Sequence, residues 1–309
     1  MRLKIGIPKS LLYYYYKDLW INFFKYLDME IIESPSTNKE MLKEGEKLVD
    51  DETCLSMKIY LGHIVYLKNK CDYILVPRLF SVCPKEEVCT NFNALYDIVN
   101  NVVSDIEILN YNVDLTTKDS ELLGFLNMGK ELGISYIKAY KAYKYAKEKQ
   151  QDIRKSKELT QEANLGKDSI KILLAAHPYN LYDDLIGKQV IKYLNEENIT
   201  ILYSDRIKKE IIQKECMELS TDIHWTHSKE VVASVNYYKD KVDGIILMSS
   251  FPCGPDSLSN DLIGRKVKNL PILTLMFEDL NSDIGLMTRL ESYIDILKQK
   301  KEESCEKYN

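Results

Sequence analysis

The sequence predicts an α/β protein built from two open parallel-sheet domains joined by a helical segment. Three observations predict it. Short runs such as CDYILVPRLF (71–80), KILLAAHP (171–178) and VDGIILMSS (242–250) are continuously apolar, stretches of helical spacing lie between such runs, and the alternation recurs in both halves of the chain. Unbroken apolar runs belong to strands buried on both faces of a parallel sheet, and the intervening helices supply the crossovers that cover those faces.

The elements follow in order. An N-terminal domain over residues 1–117 opens with a strand, RLKIGIP (2–8), closed by Pro8. SLLYYYYKDLWINFFKYLD (10–28) sets Leu11, Tyr15, Leu19 and Phe23 near helical spacing, with Ser10 as candidate cap. MEIIESP (29–35) is a second strand ended by Pro35, and TNKEMLKEGEKLVD (37–50) opens on a Thr or Asn cap. LSMKIYLGHIVYLKNK (55–70) is a third helix after Cys54, the run at 71–80 a buried strand, and IEILNYNV (106–113) a further strand. Residues 118–167 read as a helical linker or buttress whose late stretch, KAYKAYKYAKEKQQDIRKSKE, is lysine-rich and fits a solvated helix face. A C-terminal domain over 168–309 repeats the alternation, with strands at 171–178, 199–205, 242–250 and 271–279.

The bulk numbers agree with this reading. A chain of 309 residues is long enough for two domains with their own cores, and 45% hydrophobic with 29% charged residues describes a soluble globular protein. Apolar runs reach only about six residues, against the roughly 20 that cross a bilayer. The start, MRLKIGIPKS, carries no apolar signal-peptide core, so the expected compartment is the cytosol. A net charge of −5 argues against a general nucleic-acid surface. Seven cysteines cannot all pair, and a reduced compartment leaves packing, metal ligation or catalysis for each thiol. There is no CxxC, GxSxG, GxGxxG or GxxxxGK[ST], so zinc ribbons, nucleophile elbows and phosphate loops are not written here.

In open parallel sheets, sites collect where loops leave the carboxyl ends of strands. Arg78, Cys83 and Cys89 follow one strand; His177, Tyr179 and Asp183 follow another; Cys253 and Asp256 follow a third; Glu278 and Asp279 follow the last. Cys54 opens a helix after DDET, where free N–H groups and the helix dipole favour a thiolate. Cys54, Cys89 and Cys253 all sit among polar residues in turns or helix starts, whereas Cys71, Cys216 and Cys305 read as structural or incidental. In SSFPCGPDSL (249–258), two prolines stiffen the strand exit and Gly254 is expected to let the backbone turn closely past whatever the thiol holds. Three thiolates fall short of the four ligands of a structural zinc site. An iron–sulfur cluster held by fewer than four protein ligands would leave one iron open. Of the histidines, His224 and His227 would share one side of a helix, His63 reads as packed or hydrogen-bonded, and His177 at a strand end is the best placed for function.

The blocks IGIPKSLLYYYYKDLW, SPSTNKEMLKEGEKLVDDETCLSMKIYLGHIVYL, VPRLFSVCPKEEVCTNF, AAHPYNLYDDLIG and SSFPCGPDSL resemble, in order along nearly the whole chain, acyl-CoA dehydratase activase-related proteins. These belong with the 2-hydroxyacyl-CoA dehydratases, benzoyl-CoA reductases and double-cubane cluster proteins of anaerobes. The resemblance implies Rossmann-like domains with a 4Fe–4S cluster at their interface. By position its three thiolate ligands would be Cys54, Cys89 and Cys253, with Cys83 leaving open which thiol of its block binds. In the dehydratases an actin-like, ATP-hydrolysing activase delivers one electron; lacking a phosphate-binding glycine loop, this chain is not expected to be that ATPase.

Two functional classes follow. In one, the chain is a redox iron–sulfur protein, an electron-transfer component or a reductase or dehydratase of a small or CoA-linked substrate. Arg78 would then neutralise an anionic substrate or the reduced cluster, and His177 or Asp183 would handle protons. In the other, it is a non-catalytic binding or scaffold module of an ATP-dependent activase system, its cluster absent or structural. A zinc protein is a third reading, and the relatives' two-subunit architecture suggests a homodimer.

Overall fold

The structure is a computed structural model that describes residues 2–278 and 284–306. Asp279 lies outside the described residues, as does the side chain of Cys305. The chain divides into two compact units, Met1–Ser156 with His224–Thr226, and Lys157–Ile223 with His227–Asn309.

In chain order the first part holds β1 (Lys4–Ile7), α1 (Tyr13–Tyr26), β2 (Glu30–Glu33), α2 (Lys39–Glu46), α3 (Leu55–Leu67), β3 (Tyr73–Ser81), α4 (Thr90–Asn93), α5 (Leu95–Val102), β4 (Ile108–Asp114) and α6 (Glu121–Glu131). The 30-residue α7 (Tyr136–Leu165) then runs across the unit boundary. The second part holds β5 (Lys171–Ala175), α8 (Pro178–Tyr182), α9 (Gly187–Glu196), β6 (Thr200–Tyr203), α10 (Lys209–Leu219), α11 (Thr226–Tyr238), β7 (Gly244–Ser250), α12 (Gly254–Lys266), β8 (Ile272–Phe277) and α13 (Ile284–Glu306). Each unit has one four-stranded, wholly parallel sheet, ordered β2-β1-β3-β4 and β6-β5-β7-β8. The predicted α/β class with two parallel sheets is therefore the observed one. Among the described residues, no helix is long and apolar enough to cross a membrane.

The two strand orders are the same order, and the likeness extends to single hydrogen bonds. The backbone N–H of Lys4, at the start of β1, donates to the Asp72 carboxylate at 2.7 Å, and that of Lys171, at the start of β5, donates to Asp243 at 2.7 Å. At the other end of the strands, Ser34 Oγ accepts from the Lys9 N–H at 2.8 Å, and Ser204 Oγ accepts from the Ala176 N–H at 3.1 Å. Each serine directly follows the second strand, and each N–H lies two residues beyond the partner of that strand's last residue, Ile7 or Leu174. The units thus share a plan that fixes both ends of their first strands.

Local chemistry explains where helices begin and how closely they pack. Leu11 sits in the left-handed region at φ 46°, which no right-handed helix accommodates, so α1 starts at Tyr13 rather than at the predicted Ser10. Asn38 caps α2 by accepting from the Met41 N–H at 3.0 Å. A Cβ on Gly45 would stand 1.8 Å from the Lys58 carbonyl oxygen, and one on Gly62 would stand 2.0 Å from that of Met41. Helices α2 and α3 therefore touch backbone to backbone. The first unit's core is aromatic, with Phe125 4.7 Å from Phe23 and 5.0 Å from Tyr111 between ring centres. In the second unit, Leu173, Leu202, Ile245 and Leu247 of the sheet pack with Val232 and Val235 of α11.

Candidate functional site

In the second unit, β6 lies on one side of β5 and β7 on the other. The chain path reverses there, and the crevice of such a fold opens between the carboxyl ends of β5 and β7. From β5 comes His177, the N-cap of α8, in extended conformation ahead of Pro178 at the first helical position. From β7 come Ser250, the last strand residue, then Cys253 as N-cap of α12 and Asp256 in its first turn. A carboxylate there is favoured by the helix dipole.

These residues form one connected network. His177 Nε2 stands 2.8 Å from Asp256 Oδ1, Asn180 Nδ2 donates to Asp256 Oδ2 at 3.4 Å, and Ser250 Oγ donates to Asn180 Oδ1 at 2.7 Å. All four are buried, with exposures of 4%, 7%, 0% and 2% for His177, Asp256, Asn180 and Ser250. Buried polar groups in so dry a place must satisfy one another, which gives the network a defined geometry. The His177 ring lies near-parallel to Tyr179 at 5.2 Å and edge-on to His227 at 6.4 Å. Burial, then the neighbouring His177 and Lys209, push His227 down to about 3, so it stays neutral beside the pair. Gly187 fixes the loop from behind: a Cβ on it would stand 2.2 Å from the carbonyl oxygens of Asn180 and Leu181. Asp183, another predicted site residue, is buried, and its Oδ1 accepts from the Leu185 N–H at 2.9 Å in the turn after α8.

In the first unit, Cys54 is the N-cap of α3 and Cys89 that of α4, both with extended backbone. Asn91, two residues beyond Cys89, donates its amide to Cys54 Sγ at 3.7 Å, so the two cysteine turns meet. Arg78 pairs with Asp97 at 2.6 Å and lies over the Tyr96 ring at 5.2 Å. Cys83 occupies a turn where its carbonyl accepts from Ser81 Oγ at 2.9 Å. His63 is buried in α3, with Nδ1 2.7 Å from Ser34 Oγ and Nε2 3.0 Å from Thr37 Oγ1, a hydrogen-bonded core histidine.

The cysteines separate by backbone position. Cys54, Cys89 and Cys253 are N-caps, partly exposed, and none makes a side-chain cap hydrogen bond. Cys71 packs into space left by Gly6, where a Cβ would meet its Sγ at 2.5 Å; burial, with Asp72 adding, pushes its thiol up. Cys216 is buried in the core beside α11. No disulfide joins any of these five or Cys83. Among the described residues, no group of three or more His, Cys, Asp or Glu is gathered to hold a metal ion. In donor chemistry each of the three N-cap cysteines offers a soft sulfur, the ligand type that iron–sulfur clusters take.

Two sequence expectations are corrected. His224 and His227 do not share a helix face, because α11 begins at Thr226; His224 is exposed ahead of it, and His227 is buried in its first turn. Gly254 is not required by a close turn, since a Cβ there meets nothing within 4 Å; it leaves open space beside Cys253. Asn180, Ser250 and Asn91 were not among the predicted site residues. Neutral amides and hydroxyls carry no spacing signature, and their partners are remote in sequence.

A family model described as "CoA enzyme activase uncharacterised domain (DUF2229)" matches residues 4–207, more than half of the chain. No curated protein matches the chain. Solved structures similar to it include that of ZnuA, 8% identical over 96% of this chain and 99% of that one, with a TM-score of 0.28. A putative sugar binding protein from Salmonella typhimurium LT2 is 12% identical over 96% of this chain and 88% of its own, with a TM-score of 0.25. A carbohydrate transporter from Acidothermus cellulolyticus 11B, in complex with myo-inositol, is 12% identical over 89% and 74%, with a TM-score of 0.20.

Proposed function

The chain belongs to the family described as CoA enzyme activase uncharacterised domain (DUF2229), and on that premise we propose that it is an iron–sulfur redox protein of a CoA-enzyme activase system. Its ligands are Cys54, Cys89 and Cys253, and its role is low-potential electron transfer, or reductive or dehydrating chemistry on a small or CoA-linked substrate. One observation carries the reading: Cys54, Cys89 and Cys253, the three positions to which the resemblance carries its ligands, are each the N-cap of a helix, whereas Cys83, the alternative thiol in its block, is not. A cluster so held supplies one-electron transfer and, with fewer than four protein ligands, an open iron site for water or substrate.

The chain's own residues support that use in specific ways. The Asn91 amide donates to Cys54 Sγ at 3.7 Å, and Cys54 and Cys253 each open a helix with extended backbone. The His177–Asp256 pair offers a place to hold a proton, while His227 beside it does not take one near neutral pH. Arg78, paired with Asp97, would have to leave that carboxylate to meet an anionic substrate. The partner is an ATP-dependent activase or another one-electron donor.

Substituting cysteines one at a time tests the ligand set. Cys54→Ser, Cys89→Ser and Cys253→Ser are expected each to lose most of the iron retained by the unaltered protein, with unchanged circular dichroism. Cys71→Ser and Cys83→Ser are expected to keep it. Iron content indifferent to all three N-cap substitutions would remove the reading. A second reading, a non-catalytic scaffold for the activase, draws on the exposure of Tyr136 and Ile137 on α7, 68% each, as a docking face would present them. Partner binding unaffected by loss of all three N-cap thiols would favour it.

A further inference from the structure

We propose that Ser250, Asn180, Asp256 and His177 form a hydrogen-bonded clamp that positions the Cys253 turn. Ser250 stands three residues before Cys253 and Asp256 three residues after it. Both ends of the turn are therefore held, and both are held by α8 and its N-cap. Ser250 Oγ donates to Asn180 Oδ1 at 2.7 Å, Asn180 Nδ2 donates to Asp256 Oδ2 at 3.4 Å, and His177 Nε2 meets Asp256 Oδ1 at 2.8 Å.

The direction of the chain is fixed by chemistry. The Asn180 amide turns its NH2 to the Asp256 carboxyl group and its carbonyl to the Ser250 hydroxyl, which must donate. The anchor does not shift easily, because Gly187 packs directly on the Asn180 and Leu181 carbonyls, with 2.2 Å to each from a hypothetical Cβ. On the far side of the turn, Gly254 leaves open space next to Cys253. A thiol with a fixed backbone and an uncrowded neighbour is preorganised to meet a ligand. Asn180, Asp256 and Ser250 are thus positioning residues for Cys253. Their functional value rests on the proposal that Cys253 is a ligand, whereas the clamp can be measured without it.

The test uses the full-length, iron-free protein. Alkylation of Cys253 by iodoacetamide at one pH is followed by peptide mass spectrometry, with Cys54 and Cys89 as internal references. Asn180→Asp sets two carboxylates face to face and Asp256→Ala removes the shared acceptor; each is expected to change the Cys253 rate by about tenfold, with Cys54 and Cys89 unchanged. The double variant N180D/D256N restores every bond in reversed roles. The carboxylate now at position 180 accepts from Ser250 and from the amide now at position 256, whose carbonyl oxygen accepts from His177. The double variant is expected to return the rate to within about twofold of the unaltered protein. A Cys253 rate unmoved in N180D and D256A, or a double variant as disturbed as N180D, overturns the clamp. If N180D does not fold, Ser250→Ala, which cuts one terminal bond, is expected to move the rate by about threefold, and no movement overturns the proposal. Iron retention separates the two ideas: reconstituted unaltered protein without iron contradicts the iron–sulfur reading, while the labelling rates still decide the clamp.

Discussion

His227 shows how a single buried side chain converts geometry into a measurable pH dependence. Burial, then His177 and Lys209, lower its ionisation from 6.5 to about 3. In the unfolded chain the imidazole takes up a proton near its ordinary value, so between those limits the unfolded state binds a proton that the folded state refuses. The stability associated with the neutral ring is complete above pH 6.5 and is lost as pH falls toward 3; in size it is on the order of a few kcal/mol. Urea unfolding at several pH values is expected to give a steeper acid-side loss for the unaltered protein than for His227→Gln. Equal slopes would show that the ring is not held neutral by its surroundings. The sequence marks His227 only as a neighbour of His224, which is not its partner in the fold. His177 was legible because it ends an apolar strand before a proline, but His227 matters through a ring contact with a residue 50 positions away, at 6.4 Å.

Helices α2 and α3 carry the second consequence. Their contact depends on two glycines, neither of which has the positive φ that usually betrays a required glycine. Gly62→Ala would drive a methyl group into the Met41 carbonyl and is expected to destabilise the protein by about 1–3 kcal/mol or more, read as a lowered urea midpoint with unchanged slope. A midpoint within error of the unaltered protein would mean that the helices can part without cost. Strands were more legible than such contacts. Leu75, Val76, Ile245 and Leu247 are buried on sheets covered on both faces, so their runs are apolar without alternation and stand out in the sequence. Helix starts were legible where a cap acts locally, as at Asn38, and misread where the backbone intervened, as at Leu11. Of the cysteine turns, Cys54 was legible as a helix start because the polar run DDET precedes a periodic stretch.

The molecule as a whole is two copies of one plan with different furniture at the strand exits. The shared order β2-β1-β3-β4 and β6-β5-β7-β8, and the paired Asp72/Asp243 and Ser34/Ser204 anchors, make the sheets equivalent. What differs is the chemistry after the strands. The first unit places Cys54 against Asn91 near the Cys89 turn, and the second builds the buried network around Asp256 that grips the Cys253 turn. The alternation of strands and helices revealed the plan, whereas the network did not show because Ser250 and Asn180 meet across 70 residues of chain. The central proposal is that the three N-cap thiols hold an iron–sulfur group. Purifying the protein without oxygen and quantifying iron, acid-labile sulfide and zinc on one sample, with its visible absorption spectrum, tests this most directly. Iron and sulfide in near-equal amounts, with thiolate-to-iron charge-transfer absorption that bleaches on one-electron reduction, is the predicted result. Folded protein that takes up no iron or sulfide on anaerobic reconstitution, or that holds zinc instead, would contradict it.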